Sequence, residues 1–314
     1  MTTTPGAAGG PRLDWSQVPG PVRTGVDHLL GSPVASAVNQ HGGFSPGPAV
    51  RVRCADGSRA FVKAVGLTLN PDSPRLHRAE GRNAACLPAT ARVPRLRGVY
   101  DDGDWVALVF DEIDGSMPVT PWRPADVDRV LTALLDLARV LTPCPADHVP
   151  DVADRIRADV SGYARLAATP PVDLSDWERQ HLDWLAGAGP WVLDRLSGDT
   201  LVHLDLRADN ILFDDSGRTY FVDWPWASRG PAWVDTALFL INVALHGGDP
   251  ESFLRDHPLL TDVAPEEVTG LLVGVTGMFG EACRKPAPPG LPTLRDFQRA
   301  QYQAMLRWVR RRTG

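Results

Sequence analysis

The chain has 314 residues, a formal net charge of −6, and 43% hydrophobic against 22% charged residues, which suits a soluble globular protein of one large or two moderate domains. The acidic balance argues against wholesale binding to nucleic acid or an anionic membrane. Cysteines at 54, 86, 144 and 283 form no CxxC and no Cys/His group of zinc spacing, so they read as reduced thiols.

Residues 1–20 open with MTTTPGAAGGPR, which lacks a basic segment followed by an apolar one, and read as a disordered leader. Strand-like runs follow in VASAVN, AVRVR and RAFVKAV, with an Asp56-Gly57 turn that predicts a hairpin between the last two. PRLHRAEGRNAACL, with Pro near its start, predicts a short helix over 74–87. VPRLRGVY and WVALVFDEI, joined by the turn DDGD, predict a second hairpin. The count by residue 113 is about five strands and one helix. Beyond DGSMP the character changes. Residues 125–141, 151–168, 174–197, 231–246, 265–283 and 293–312 have helical periodicity or composition. Only NILFDD and RTYFVDW interrupt them, as one further hairpin. The expected architecture is α+β and bilobal, with a small five-stranded antiparallel β lobe, a short acidic connector and a larger, mostly helical lobe. The longest apolar runs, ALFLINVAL and VTGLLVGVTGMFG, fall short of the roughly 20 residues that span a bilayer, and a cytoplasmic protein is expected.

Chemistry concentrates in LVHLDLRADNILFDDSGRTYFVDW, residues 201–224. Here a His-x-Asp-x-x-x-x-Asn turn precedes a hairpin that ends in Val222-Asp223-Trp224. Asp205, Asn210 and Asp223 can converge at one end of that hairpin. Carboxylate and amide oxygens are hard ligands suited to Mg²⁺. A carboxylate kept off the metal can accept a proton from a hydroxyl nucleophile. Upstream, the loop GGFSPGP (42–48) has glycines that let backbone N–H groups approach phosphate oxygens and a serine hydroxyl that can donate; a plain flexible hairpin turn is the competing reading.

HLDLRADN followed by VDW, and then GPAWVDTALFL, resembles the aminoglycoside phosphotransferase family of the protein-kinase-like superfamily. The resemblance implies a protein-kinase-like fold in which 21–113 form a nucleotide-binding lobe and 114–314 a catalytic, substrate-binding lobe. It implies Asp205 as catalytic base, Asn210 and Asp223 as Mg²⁺ ligands, His203 as a brace of the loop and Asp235 as a structural tie. Lys63 in FVKAV would hold the α/β-phosphates of ATP, paired with Glu80. In LVFDEIDG the Asp111 carbonyl and Ile113 N–H would bind adenine, with Phe110 behind the base. Gly43 and Ser45 would lie over the triphosphate. Arg207 would contact the transferring phosphoryl or form a salt bridge to Asp205 or Asp209; both readings stand. Leu204 takes a place where the family usually has Gly. Asp-Trp-Pro replaces Asp-Phe-Gly, and no long activation segment precedes the helix near 233, which argues against a protein kinase.

The implied reaction is ATP- and Mg²⁺-dependent phosphorylation of a small-molecule hydroxyl, on an aminoglycoside-type antibiotic or related metabolite, by a monomer or homodimer. The competing function is a kinase-like nucleotide-binding scaffold without turnover. Charge is uneven: from Asp235 to Cys283 eight acids face one base, Arg255, and from Arg284 onward eight bases face one acid, Asp296. These read as two solvated helical faces or, more sharply, as an acidic wall for a cationic acceptor. Trp224 and Trp226 read as core, with stacking on a substrate as the competing reading.

Overall fold

The computed structural model describes residues 12–255 and 257–314. Of the expected leader, 1–11 lie outside the described residues, and 12–20 are not disordered. Leu13 and Trp15 pack on the small lobe's core, and Val18 is buried in it. Helix α1 (Gly20–Leu30) follows, with Pro21 in its first turn and Gly31 closing it at φ 76°, the ordinary start and stop residues of a helix.

Strands β1 (Val34–Asn39), β2 (Ala49–Cys54) and β3 (Arg59–Gly66) form an antiparallel meander, and helix α2 (Ser73–Ala85) leads to the hairpin of β4 (Leu96–Asp101) and β5 (Trp105–Phe110). The sheet order is β1-β2-β3-β5-β4. Five strands were expected and five are found. Strand β5 shows why WVALVF lacks alternation. Ala107 and Val109 pack with Val22 and Val26 of α1, while Val106, Leu108 and Phe110 lie on the α2 face with Ala84. A strand covered on both faces has no polar side to show.

A short strand, β6 (Gly115–Ser116), opens the large lobe. Helices α3 (Pro124–Val140), α4 (Val152–Ile156), α5 (Gly162–Ala168), α6 (Asp176–Gln180) and α7 (Leu182–Val192) follow. The single helices expected over 151–168 and 174–197 are each broken. In the second, a Ser175–Glu178 capping box starts α6, and His181 ends it before α7 begins. Strand β7 (Thr200–Val202) pairs with β10 (Ser228–Gly230), and β8 (Ile211–Asp214) lies between β6 and β9 (Thr219–Phe221). Helices α8 (Trp233–Leu245), α9 (Pro250–Leu254), α10 (Pro265–Ala282) and α11 (Leu294–Thr313) complete the lobe. Helix α10 crosses α5 and α7 closely because glycines meet there: a Cβ on Gly162 would lie 2.3 Å from the Gly277 backbone, and one on Gly189 would lie 3.0 Å from the Gly274 Cα.

The two charged faces meet each other. Arg312 pairs with Glu251, Arg311 approaches Asp249 at 3.9 Å, and Trp308 Nε1 donates to Glu251 at 2.6 Å. Asp249 and Glu251 thus have cationic partners within the chain. Among the described residues no helix is long and apolar enough to cross a membrane. The four cysteines are free thiols, as expected.

Candidate active site

The lobes meet around a cavity of about 450 Å³. Strand β3 carries Lys63 into it, and α2 presents Glu80 from behind. Lys63 Nζ lies 2.8 Å from Glu80 Oε1 and 2.7 Å from Asp223 Oδ1, so one ammonium joins the lobes. Lys63 and Glu80 are mostly buried, while the Asp223 side chain keeps 31% of its exposure. Burial works against the Lys63 charge, yet the two carboxylates outweigh it and hold its pKa above the ordinary value. For Asp223 burial alone would raise the carboxyl; Lys63 reverses this and holds it well below the usual range. Glu80 goes the other way, raised by burial and by the negative charge of Asp223 despite Lys63.

The segment 203–210 is held from below by α8. Asp235 Oδ2 accepts from the His203 backbone N–H at 2.7 Å and Oδ1 from that of Leu204 at 2.9 Å. Leu204 takes φ 66° and Asp223 φ 72°, the two non-glycine residues in the left-handed region among the described residues, where an L side chain costs about 1–2 kcal/mol. The Asp235 bonds hold Leu204 where the family's usual glycine would need no such help. His203 is fully buried; its Nε2 lies 2.9 Å from the Val222 carbonyl, and its ring meets Trp224 edge-on at 4.6 Å. That contact ties 203 to the segment before Asp223, and it places Trp224 in the core as expected.

Asn210 Nδ2 donates to the Asp205 carbonyl at 2.7 Å and, more weakly, to Asp205 Oδ2 at 3.3 Å. This leaves Asn210 Oδ1 as an oxygen acceptor in the cavity wall beside Asp223. Asp205 does not line the cavity. Arg207 Nη1 contacts its two oxygens at 2.6 and 2.7 Å, and Arg207 Nε reaches Asp209 Oδ1 at 3.0 Å. The salt-bridge reading of Arg207 is thus realised on both carboxylates. Burial raises the Asp205 pKa, and the Asp209 and Asp223 charges add to it, against Arg207. Arg207 lies 5.7 Å from the ring centres of Phe44 and Phe297, which face each other at 5.1 Å.

The loop 42–48 folds over the cavity. Gly42 and Gly43 have φ 93° and 71°, the left-handed turn that glycine adopts without strain. The Gly43 N–H donates to Asp209 Oδ2 at 3.0 Å. A Cβ on Gly47 would lie 1.9 Å from the Ala64 carbonyl oxygen, so only glycine lets the loop cross β3. Ser45 Oγ is buried and lacks a hydrogen-bond partner among the described residues. At the opposite end Phe110, Asp111 and Ile113 line the cavity. The Asp111 N–H is engaged by the Arg95 carbonyl at 2.8 Å.

Ten of the residues singled out in the sequence thus gather in this region: Gly43, Ser45, Lys63, Glu80, Phe110, Asp111, Ile113, Asn210 and Asp223 line the cavity, and Asp205 adjoins it. Arg207 and His203 stand behind the cavity wall. Sequence reasoning missed Arg12, His77 and Phe297. Arg12 and His77 line the cavity, and Phe297 covers Arg207. No local signal marks Phe297, whose partner Phe44 is at the other end of the chain. It also missed Asn83, which donates to the Trp224 carbonyl at 2.8 Å and fastens α2 to the segment that carries Asp223.

A sheet-capped lobe, a helical lobe, and a lysine bridging them above two acidic loops define a kinase-like fold. The sequence profile of the phosphotransferase enzyme family (APH) matches residues 48–258, and the chain belongs to that family. It is a kinase, a phosphotransferase whose acceptor is an alcohol group. Among solved structures it is similar to choline kinase LicA from Streptococcus pneumoniae, with 15% identity, 92% of this chain and 98% of that one covered, and a TM-score of 0.62. It is also similar to a thermostable mutant of aminoglycoside phosphotransferase APH(4)-Ia, with 13% identity, 93% and 99% covered, and a TM-score of 0.62. A third is an aminoglycoside-3'-phosphotransferase of type VIII, with 21% identity, 82% and 98% covered, and a TM-score of 0.55. No curated protein matches the sequence.

Proposed function

We propose that this chain transfers the γ-phosphoryl of ATP to a hydroxyl of a sugar, aminocyclitol or amino-alcohol. The observation that supports this most is Lys63 Nζ held between Glu80 and Asp223 in a cavity that also presents Asn210. Structures similar to this one have been solved with ADP and hygromycin B and, for the choline kinase, with AMP. Adenine lies against Phe110, with the Asp111 carbonyl and Ile113 N–H at its edge. Lys63 holds the α/β-phosphates, and Ser45 Oγ, the unpartnered hydroxyl in the loop, donates to the phosphate oxygens.

The donor set fits Mg²⁺: Asn210 Oδ1 and the Asp223 carboxylate are hard oxygens on one cavity wall, and Mg²⁺ takes one or two such ligands plus phosphates and water. When bound there it neutralises phosphate charge. Asp205 orients the acceptor hydroxyl and takes its proton as the acceptor oxygen bonds to the γ-phosphorus. The bond from that phosphorus to the β–γ bridging oxygen breaks, and ADP and a phosphate monoester leave. The raised pKa of Asp205 suits a proton acceptor. Arg207, paired with both oxygens of Asp205, holds that carboxylate in place. Positioning and electrostatics carry this chemistry, with little covalent work for the protein. An ATP-using enzyme of this kind belongs in the cytoplasm.

The test is ADP release with a panel of hydroxyl compounds, repeated with Asp205→Asn. We expect one class of acceptor to raise release, and Asp205→Asn to lower turnover by about 10³-fold or more with ADP affinity nearly unchanged. A variant that keeps a tenth of wild-type turnover removes Asp205 as the base. Nucleotide binding with no active acceptor of any class favours the scaffold function instead.

A further inference from the structure

Arg12 lies outside the region matched by the family profile, yet its guanidinium is in the wall of the nucleotide cavity. Nη1 donates to the Ser45 carbonyl at 2.9 Å and the Gly47 carbonyl at 3.0 Å, and Nη2 donates to the Gly42 carbonyl. One planar side chain therefore gathers three carbonyls of the loop 42–47. The main chain beside it adds to this: the Leu13 N–H donates to the Pro46 carbonyl at 3.0 Å, and Asn39 Nδ2 donates to the Leu13 carbonyl at 3.1 Å. The rest of the chain holds the loop's tip by the Gly43–Asp209 bond and the Phe44–Phe297 contact. Backbone carbonyls repel phosphate oxygens, whereas backbone N–H groups and hydroxyls attract them. A guanidinium that neutralises three carbonyls removes that repulsion and fixes the loop. Arg12 also stands in the negative field of Asp223 and Asp209, on the phosphate side of the cavity.

We infer that Arg12 is a positioning residue for the nucleotide's β-phosphate, acting through the loop 42–47 that it clamps. This rests on the phosphotransferase reading above. Lysine is a poor substitute, because one ammonium lacks the fork that reaches carbonyls on both sides.

The experiment uses the full chain with Mg²⁺ and measures affinity calorimetrically for two probes, ADP and adenosine. Adenosine has no phosphate for the loop to meet. Arg12→Ala should weaken ADP about tenfold, the loss expected for one charged hydrogen-bonding group, with adenosine unchanged. Arg12→Lys should fall between, and it decides the matter if Arg12→Ala does not fold. Equal losses for both probes would show a general structural role and overturn the inference, as would ADP affinity that survives both substitutions. If wild type prefers ADP and the variants keep that preference, only the role of Arg12 fails. If wild type binds neither probe, the phosphotransferase reading fails and Arg12 goes with it.

Discussion

Two loops reach the left-handed region of backbone space beside the same cavity, and they do so by opposite means. The loop 42–48 uses Gly42 and Gly43, which need no side-chain compensation. The segments around 204 and 223 use Leu204 and Asp223, each at a strain of about 1–2 kcal/mol. The first is fastened by the Arg12 side chain, the Leu13 N–H on the Pro46 carbonyl, one bond to Asp209 and one aromatic contact. The second is fastened from within the core, by Asp235 under His203 and Leu204 and by His203 against Val222. Strain persists only where surroundings over-determine the backbone. The contrast is between a floor that cannot shift without breaking buried bonds and a cover whose fastenings are few and lie at the cavity's edge.

The sharpest way to break the contrast is to remove the fastening of the floor. Asp235→Ala leaves the buried His203 and Leu204 N–H groups without acceptors. At about 1–3 kcal/mol for each unsatisfied group, we expect urea unfolding to show a loss of about 3–5 kcal/mol and turnover to collapse. The cover shares no contact with Asp235, so ADP affinity of the folded fraction, measured without Mg²⁺, should hold within about twofold. Loss of ADP affinity in step with turnover would show that floor and cover are one unit.

Much of this arrangement was legible in the chain, because the floor is local in sequence. Asp205, Asn210 and Asp223 fall within one turn and one hairpin, so spacing alone brings them together. Lys63 and Glu80 were placed by the resemblance to the family, whose order of elements the strand and the helix after it match. The cover's fastenings were not legible, because each spans a distance that no period reports. Arg12 sits in a Gly/Pro-rich opening that composition reads as unstructured, yet its donors find three carbonyls some thirty residues on. Phe297 meets Phe44 only because the chain's last helix returns to the cleft. Helix α1 is a different miss: Pro21 and Gly31 were ordinary signals that went unused. The pairing of the acidic stretch with α11 was hidden too, since charge patterning reports sign and not partner.

Acid sharpens the contrast next, because buried histidines lie in the floor and wall. His77 lines the cavity on α2, 7% exposed, with Nδ1 3.1 Å from the Ser73 carbonyl. Burial, and then the Lys63 charge, push its pKa down to about 4. His203 is lowered as well, first by burial. A histidine lowered on folding contributes stability above its unfolded pKa of about 6.5, and loses it as pH falls toward the folded value. For His77 that is about 3 kcal/mol over the window from about 6.5 to about 4. We expect urea midpoints to fall across this window, and His77→Gln to flatten the fall. An equally steep fall in the variant would assign the loss to other groups.

The smallest effect is expected where strain alone is tested. Leu204→Gly relieves about 1–2 kcal/mol of left-handed strain and gives up a partly buried side chain that packs on the large core. Glycine also gains freedom in the unfolded chain, at about 0.5–1 kcal/mol. These terms nearly cancel, so stability should stay within about 1 kcal/mol of wild type. Leu204→Val keeps an apolar side chain but branches at Cβ, where the left-handed region is least accessible. It should be less stable than wild type by about 2 kcal/mol or more. If glycine and valine behave alike in urea unfolding, the backbone at 204 is not where the floor stores strain, and Asp235 serves only to satisfy buried donors.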